Sequence, residues 1–398
     1  QMGHQAISLT DTVMLGWYGP EFLAAGVLGA QLYLLAFIGA TGFAYGVMPL
    51  AAAAAAGEDE TGLRRSVRMG LWVVSAVVAA VMPVLWGTEA LMRALGQEPR
   101  LAAGAQDYVR IAQWSLFPAL WAMALRSYFS ALERTRIVMW AMFAAVLVNA
   151  GLNWILIFGN LGAPELGLRG AAIATFGTQV MAFLPLALLA ATGAEYRGHR
   201  LFRRLWFPDW DAFARVFRLG LPISAALLAE VGLFSATTVM LGWLGTIALA
   251  AHGIAISIIS FVFMVYLGLA SAATVRVGRA LGRKDRAGLD HAGKTALGMT
   301  AILATCGAGL IWFLAPDVVR LFLAADEPAA EAIVAAGVGL LAVAAVFQIV
   351  DALQAVSLSL LRGLQDTARP MLIAVVSYWG IGMPTAYVMG FVFGLGGP

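Results

Sequence analysis

Cysteine is all but absent from this chain. Cys306 is the only one among 398 residues, which excludes a disulfide within the chain and any multi-cysteine metal site. It stands in an apolar stretch and reads as a small buried hydrophobe. Charge is scarce as well. Charged residues make up 12% of the sequence, against about 25% in ordinary soluble domains. With 61% hydrophobic residues, too little polar surface remains to cover a water-soluble fold of this size. A bilayer removes that constraint by solvating the outside with hydrocarbon. Histidine is limited to His4, His199, His252 and His291, too scattered to converge on a metal. The catalytic patterns H-E-x-x-H and G-x-S-x-G do not occur. Neither an enzyme nor a nucleotide-driven machine is expected. The net charge of +3 is spread over short breaks and forms no patch, so no nucleic-acid partner is expected either.

What is present is a series of apolar stretches, each long enough for the roughly 20 residues that span a bilayer core. They run over 1–18, 22–56, 67–95, 101–131, 137–159, 168–193, 216–245, 247–280, 292–323, 329–361 and 370–395. The expected fold is therefore all-α and polytopic, with about eleven helices, the first truncated and a twelfth missing. The basic residues fix its orientation. About 20 of the 25 Lys and Arg fall in the alternate breaks 57–70, 126–137, 195–219, 276–294 and 362–369. These breaks are read as cytoplasmic, which implies a multi-pass protein of a bacterial-type inner membrane.

The sequence repeats itself. Thr12-Val13-Met14-Leu15-Gly16-Trp17 recurs as Thr238-Val239-Met240-Leu241-Gly242-Trp243, and Leu23-Ala24-Ala25 recurs as Leu249-Ala250-Ala251. Weaker echoes elsewhere keep an offset close to 230 residues. An even number of helices separates the copies, so the repeat is parallel. It predicts two six-helix bundles related by a pseudo-two-fold axis along the membrane normal, over residues 1–194 and 219–398. Between them, residues 195–218 carry six arginines together with Trp206, Phe207, Trp210 and Phe213. They are read as a cytoplasmic linker with an interfacial helix.

Acidic residues within the apolar stretches are rare. Asp11, Glu230 and Asp351 are the three, and the last two fall near mid-membrane by helix rise. Such residues usually face a cavity and serve an ion or proton path. Glu230 and Asp351 could hold Na⁺ through their oxygens or share a proton. Phe234 lies one turn after Glu230, and Phe347 one turn before Asp351. An aromatic beside an acid suits a flat organic cation. Asn149, Asn153, Gln179, Gln348 and Gln354 are further polar groups that could line a cavity. Gly42 and Gly46 form a Gly-x-x-x-Gly pair suited to close helix contact.

Several passages resemble the MATE (multidrug and toxic compound extrusion) family, in its NorM-like branch. They are Asp11-Thr12-Val13-Met14, Gly220-Leu221-Pro222-Ile223 leading to Glu230, and Ala250-Ala251-His252-Gly253. Others are Arg276-Val277-Gly278-Arg279-Ala280-Leu281-Gly282, Gln348-Ile349-Val350-Asp351-Ala352-Leu353-Gln354 and Asn153-Trp154-Ile155. The resemblance covers nearly the whole chain. It implies a twelve-helix, monomeric antiporter that exports small organic cations, drugs and dyes among them, in exchange for Na⁺ or H⁺ and without another cofactor. It implies that Asp11 is an acid of the first lobe, and that Glu230 and Asp351, with Phe234 beside them, form the cation site of the second. Some relatives carry Tyr where this chain has Phe347, so that ring offers no oxygen. A lipid-linked oligosaccharide flippase of the same superfamily is the alternative. It would be expected to place more Arg and Lys in its cavity.

Overall fold

The computed structural model describes residues 20–320 and 330–393, together with Thr10 and Met14. Asp11 and most of the predicted 1–18 helix lie outside the described residues. The elements are α1 (Pro20–Tyr45), α2 (Val47–Ala56), α3 (Glu60–Trp86), α4 (Thr88–Ala94), α5 (Pro99–Ala112), α6 (Leu116–Ala131), α7 (Thr135–Phe158) and α8 (Gly167–Thr192). They continue with α9 (Trp210–Leu244), α10 (Thr246–Gly282), α11 (Arg286–Arg320), α12 (Ala330–Gly363), α13 (Ala368–Val375) and α14 (Met383–Tyr387). No strand occurs among the described residues. Among the described residues nine helical stretches are long and apolar enough to cross a membrane, with α1 and α2 counted as one. The predicted 101–131 span is α5 and α6, joined by a tight turn at Gln113–Ser115. The protein is an all-α, polytopic membrane protein.

Local chemistry sets the helix ends. The Asp59 side chain caps α3 by accepting the Gly62 amide hydrogen at 2.8 Å, which satisfies one orphan donor of the first turn. Gly159, at φ +71°, closes α7 in the left-handed conformation that glycine adopts without strain. Hydroxyl groups inside the spans bond back to their own helix: Ser75 to the Leu71 carbonyl, Thr178 to Ala174, Thr237 to Leu233 and Thr300 to Ala296. Hydrocarbon offers these groups no other partner. Prolines 83, 185, 222 and 316 stand inside helices, as membrane helices tolerate.

The side-chain distribution reverses that of a soluble protein. Many small residues are buried, among them Ala44, Ala51, Ala52, Ala105, Ala124 and Ala304, beside large ones such as Tyr128 and Phe129, while Trp140, Phe143, Phe261 and Phe313 are exposed. Small residues let backbones approach, which is how helices associate where lipid is as apolar as leucine. Cys306 corrects an expectation. It is exposed, not buried, because an apolar helix surface facing lipid needs no cover from protein.

The run Gly288-Leu289-Asp290-His291-Ala292-Gly293-Lys294-Thr295 spells the G-x-x-x-x-G-K-[ST] pattern of a phosphate-binding loop, against the expectation of no nucleotide motif. The spelling lacks its context. The run lies wholly inside α11, whereas a phosphate-binding loop connects a strand to a helix. Lys294 is engaged with Asp290, one turn away, at 2.6 Å.

The chain divides into two compact units between Ser224 and Ala225. In the first, α7 packs on α8, α1 on α5, and α6 on α8. The linker is shorter than expected, since α9 begins at Trp210 and runs on unbroken through the predicted 216–245 span. Before it, Asp209 receives two hydrogen bonds from Arg65, the longer at 2.9 Å. The Arg65 hydrogen bond holds the Asp209 carboxyl below its ordinary pKa. In the second unit, α10, α11 and α12 pack together over a core of Ala255, Ala308, Ile311, Leu341 and Ala345.

Within the first unit, Gly42 meets the start of α9 at backbone distance. A Cβ at Gly42 would lie 2.3 Å from the Ser224 nitrogen, and one at Gly220 would lie 2.6 Å from Phe43 Cα. The Gly-x-x-x-Gly pair thus marks a real close approach. Gly42→Ala is expected to destabilise by about 1–3 kcal/mol, as other overpacked sites do. Gly151 has no atom within 4 Å of its virtual Cβ, so Gly151→Ala is expected to hold or raise stability. Thermal unfolding of the two variants in the same detergent checks the pair.

Candidate functional site

Glu230 stands on α9, half-buried, one turn before the exposed Phe234. Asp351 stands on α12 and is buried, at 8% exposure. No basic residue lies within ten positions of either on its own helix. The two carboxyl groups lie within electrostatic reach of each other inside the second unit. Arg362, at the last turn of α12, also acts on Glu230, more weakly than Asp351 and with the opposite sign.

The last helix completes this cluster. Between α13 and α14 it loosens into π-helical turns over Val376–Gly382. A π-bulge turns side chains off the regular helical stripe and is frequent at functional sites. Tyr378 and Trp379 lie in it. The Tyr378 hydroxyl sits in the field of both Glu230 and Asp351. Gln354, one turn beyond Asp351, donates its Nε2 hydrogen to Tyr378 Oη at 2.5 Å. With one lone pair so used, the hydroxyl keeps its own proton and a second lone pair for another partner. Trp379 donates its indole hydrogen to the Ala229 carbonyl at 3.1 Å and covers Gly232 closely. These contacts fix the last helix against α9 on either side of Glu230.

The sequence alone pointed to Glu230, Asp351 and Gln354, and the structure brings them together. It missed Tyr378 and Trp379. A usable signal was present, because the two stand side by side in an apolar stretch and each has a polar tip that must find a partner.

The other candidates are distributed differently. Phe347 is exposed on α12, one turn before Asp351. Gln348 is buried, and neither its Oε1 nor its Nε2 has a hydrogen-bond partner among the described residues. Tyr266 Oη on α10 is buried and unpartnered likewise. A Cβ built at Gly307 would lie 2.8 Å from that hydroxyl and 3.5 Å from Gln348 Nε2. The two polar groups therefore meet over Gly307, inside the packed α10, α11 and α12. Asn149 and Asn153 on α7 and Gln179 on α8 are buried in the first unit. His252 approaches the Thr238 hydroxyl at 3.3 Å and links α9 to α10. Among the described residues no three His, Cys, Asp or Glu side chains converge. A cation at Glu230 and Asp351 would therefore need neutral oxygens to complete its shell.

Comparisons with known proteins agree with this architecture. The family model described as MatE matches residues 1–155 and 222–388. The chain is 41% identical over 397 residues to a probable multidrug resistance protein NorM of Rhizobium meliloti (strain 1021), covering all of this chain and 85% of that one. It is 35% identical to the protein of the same name from Pseudomonas aeruginosa, covering 81% of it. Among solved structures, the eukaryotic MATE transporter AtDTX14 superposes with a TM-score of 0.86 at 18% identity, over 99% of this chain and 86% of that one. A MOP superfamily transporter from Pyrococcus furiosus superposes at 0.84 and 20% identity, over 100% and 86%. The identities to the solved structures carry the fold alone. The family match and the curated relatives carry more, and by them this chain is a member of the MatE family.

Proposed function

We propose that the protein is a secondary multidrug efflux transporter that exchanges small organic cations for Na⁺ or H⁺ by alternating access. The observation that carries the coupling is the Glu230–Asp351 pair, two carboxyl groups within electrostatic reach inside one unit. The names of the curated relatives support multidrug efflux as the task.

The physical argument starts from repulsion. Like charges repel more strongly away from bulk water, so a nearby pair of carboxylates favours one bound proton or one bound cation. Na⁺ would take both carboxylates and a neutral oxygen, and Tyr378 offers that oxygen. A proton would neutralise one carboxyl while the Tyr378 hydroxyl donates to the other. An organic cation would compete for the same negative charge, with Phe234 and Phe347 presenting ring faces to it. Competition for one charge is sufficient to couple the two flows. Asp11 is proposed as a further acid of the first lobe. Asn149, Asn153 and Gln179 are proposed to line its cavity, and Gln348 and Gln354 that of the second.

Two outcomes follow. Glu230→Gln and Asp351→Asn are expected to reduce gradient-driven ethidium transport in proteoliposomes to the rate of empty liposomes, with thermal unfolding retained. Imposing a Na⁺ or an H⁺ gradient alone identifies the coupling ion. Wild-type rates in both variants would remove the pair from the mechanism. On a Cys306→Ala background, Phe234→Cys and Phe347→Cys are expected to react with a hydrophilic maleimide in membranes. Phe313→Cys, on the exposed outer face of α11, is expected not to react. Equal protection of all three would place both rings against lipid.

A further inference from the structure

The first unit carries a basic cavity that the exchange mechanism does not use. It measures about 330 Å³ and opens beside the N-terminal end of α3. Its wall holds Arg64, Arg65, Arg68, Arg203, Arg204 and Asp209. Five guanidinium groups thus share one small space with one carboxylate. Asp209 is committed to Arg65, and Asp59 and Asp211 act on Arg65 from further off. Arg64, Arg203 and Arg204 have no carboxylate partner among the described residues. Arg68 donates from one terminal nitrogen to the Arg204 carbonyl at 3.2 Å, while its Nε is buried without an acceptor.

Like charges gather this closely only where something compensates them. The cavity wall is also held in place. Trp72 donates its indole hydrogen to the Leu205 carbonyl at 2.8 Å, and the Asp209 amide approaches the sulfur of buried Met69 at 3.3 Å. With the Arg65–Asp209 pair, these contacts strap residues 204–209 along α3. The strap turns Trp206 and Phe207 outward at 84% and 67% exposure, and Trp210 follows at 65%. Large aromatics beside arginines, on the side that the basic residues mark as cytoplasmic, match the composition of a membrane interface.

We propose that this cavity binds the phosphate of an anionic phospholipid headgroup in the cytoplasmic leaflet. Guanidinium forks match phosphate oxygens in geometry as well as charge. Basic pockets on the cytoplasmic side of membrane helices suit such headgroups. The exposed rings beside the cavity rest at headgroup depth and leave the acyl chains in the bilayer. A soluble phosphate would use the same guanidinium groups but would gain nothing from the aromatic neighbours.

The test uses the full chain in nanodiscs of mixed phosphatidylglycerol and phosphatidylcholine, with retained lipid counted by native mass spectrometry. The wild type is expected to retain phosphatidylglycerol preferentially. In the variant R64Q/R203Q the preference is expected to fall by roughly fivefold for each arginine removed, and in R64K/R203K it is expected to persist in large part. Neither side chain holds the strap, and thermal unfolding verifies the fold of both variants. Undiminished preference in R64Q/R203Q overturns the proposal. So does a wild type with no preference, a result that needs no variant. Displacement of the lipid by millimolar inorganic phosphate would reassign the cavity to a soluble anion and overturn the lipid reading.

Discussion

A carboxyl group near the centre of a bilayer costs about 2.5–3.5 kcal/mol on insertion scales, and a second one within reach of the first adds repulsion. Glu230 and Asp351 both stand within helices long and apolar enough to cross a membrane, and Asp351 acts on Glu230 electrostatically. In the proposed mechanism a proton or a cation offsets one of the two charges. The neighbouring groups are arranged accordingly. Gln354 occupies one lone pair of Tyr378, and Trp379 pins the last helix to α9 beside Glu230. In the proposed exchange, the repulsion that makes the pair costly is also what makes it selective for whichever cation arrives.

The scaffold keeps that repulsion from being relieved by collapse. Small side chains line the interior, so helices meet at close range and leave little slack. Hydroxyl groups in the spans are bonded to their own backbone and do not compete for the carboxylates. Among the described residues, buried polar atoms without a hydrogen-bond partner include those of Tyr266 and Gln348, which flank Gly307. Gln348 lies one turn before Asp351, so this polar spot borders the carboxylate cluster on the same helix. Beside the N-terminal end of α3 the basic residues do different work. Arg65 and Arg68 tie the strap to α3, and Arg64, Arg203 and Arg204 line the cavity beside them.

Much of this was legible in the sequence, for identifiable reasons. Length and hydropathy place helices reliably in membrane proteins because lipid forbids most other backbone arrangements. Within the described residues most spans therefore matched, but the 67–95 stretch divides at Gly87 and the 101–131 stretch tightens into a 3-10 turn at Gln113–Ser115. Glu230 and Asp351 stood out because charge is rare among apolar residues. Tyr378 and Trp379 did not, since both rings are ordinary in apolar stretches and the π-turns that aim them leave no mark in composition. Cys306 was misjudged because an apolar neighbourhood in a membrane helix says nothing about which face meets lipid. The start of α9 was placed late because the aromatic, arginine-rich residues before 216 look interfacial while forming the first turns of a continuous helix.

The central claim is that Glu230 and Asp351 exchange a proton or Na⁺ for an organic cation at one shared charge. Infrared difference spectroscopy of the purified protein reads the protonation of those groups directly. Adding Na⁺ or ethidium is expected to convert a protonated carboxyl band into a carboxylate band, and that change is expected to vanish in the double variant E230Q/D351N. A difference spectrum without carboxyl bands, or one that survives unchanged in the double variant, would contradict the account.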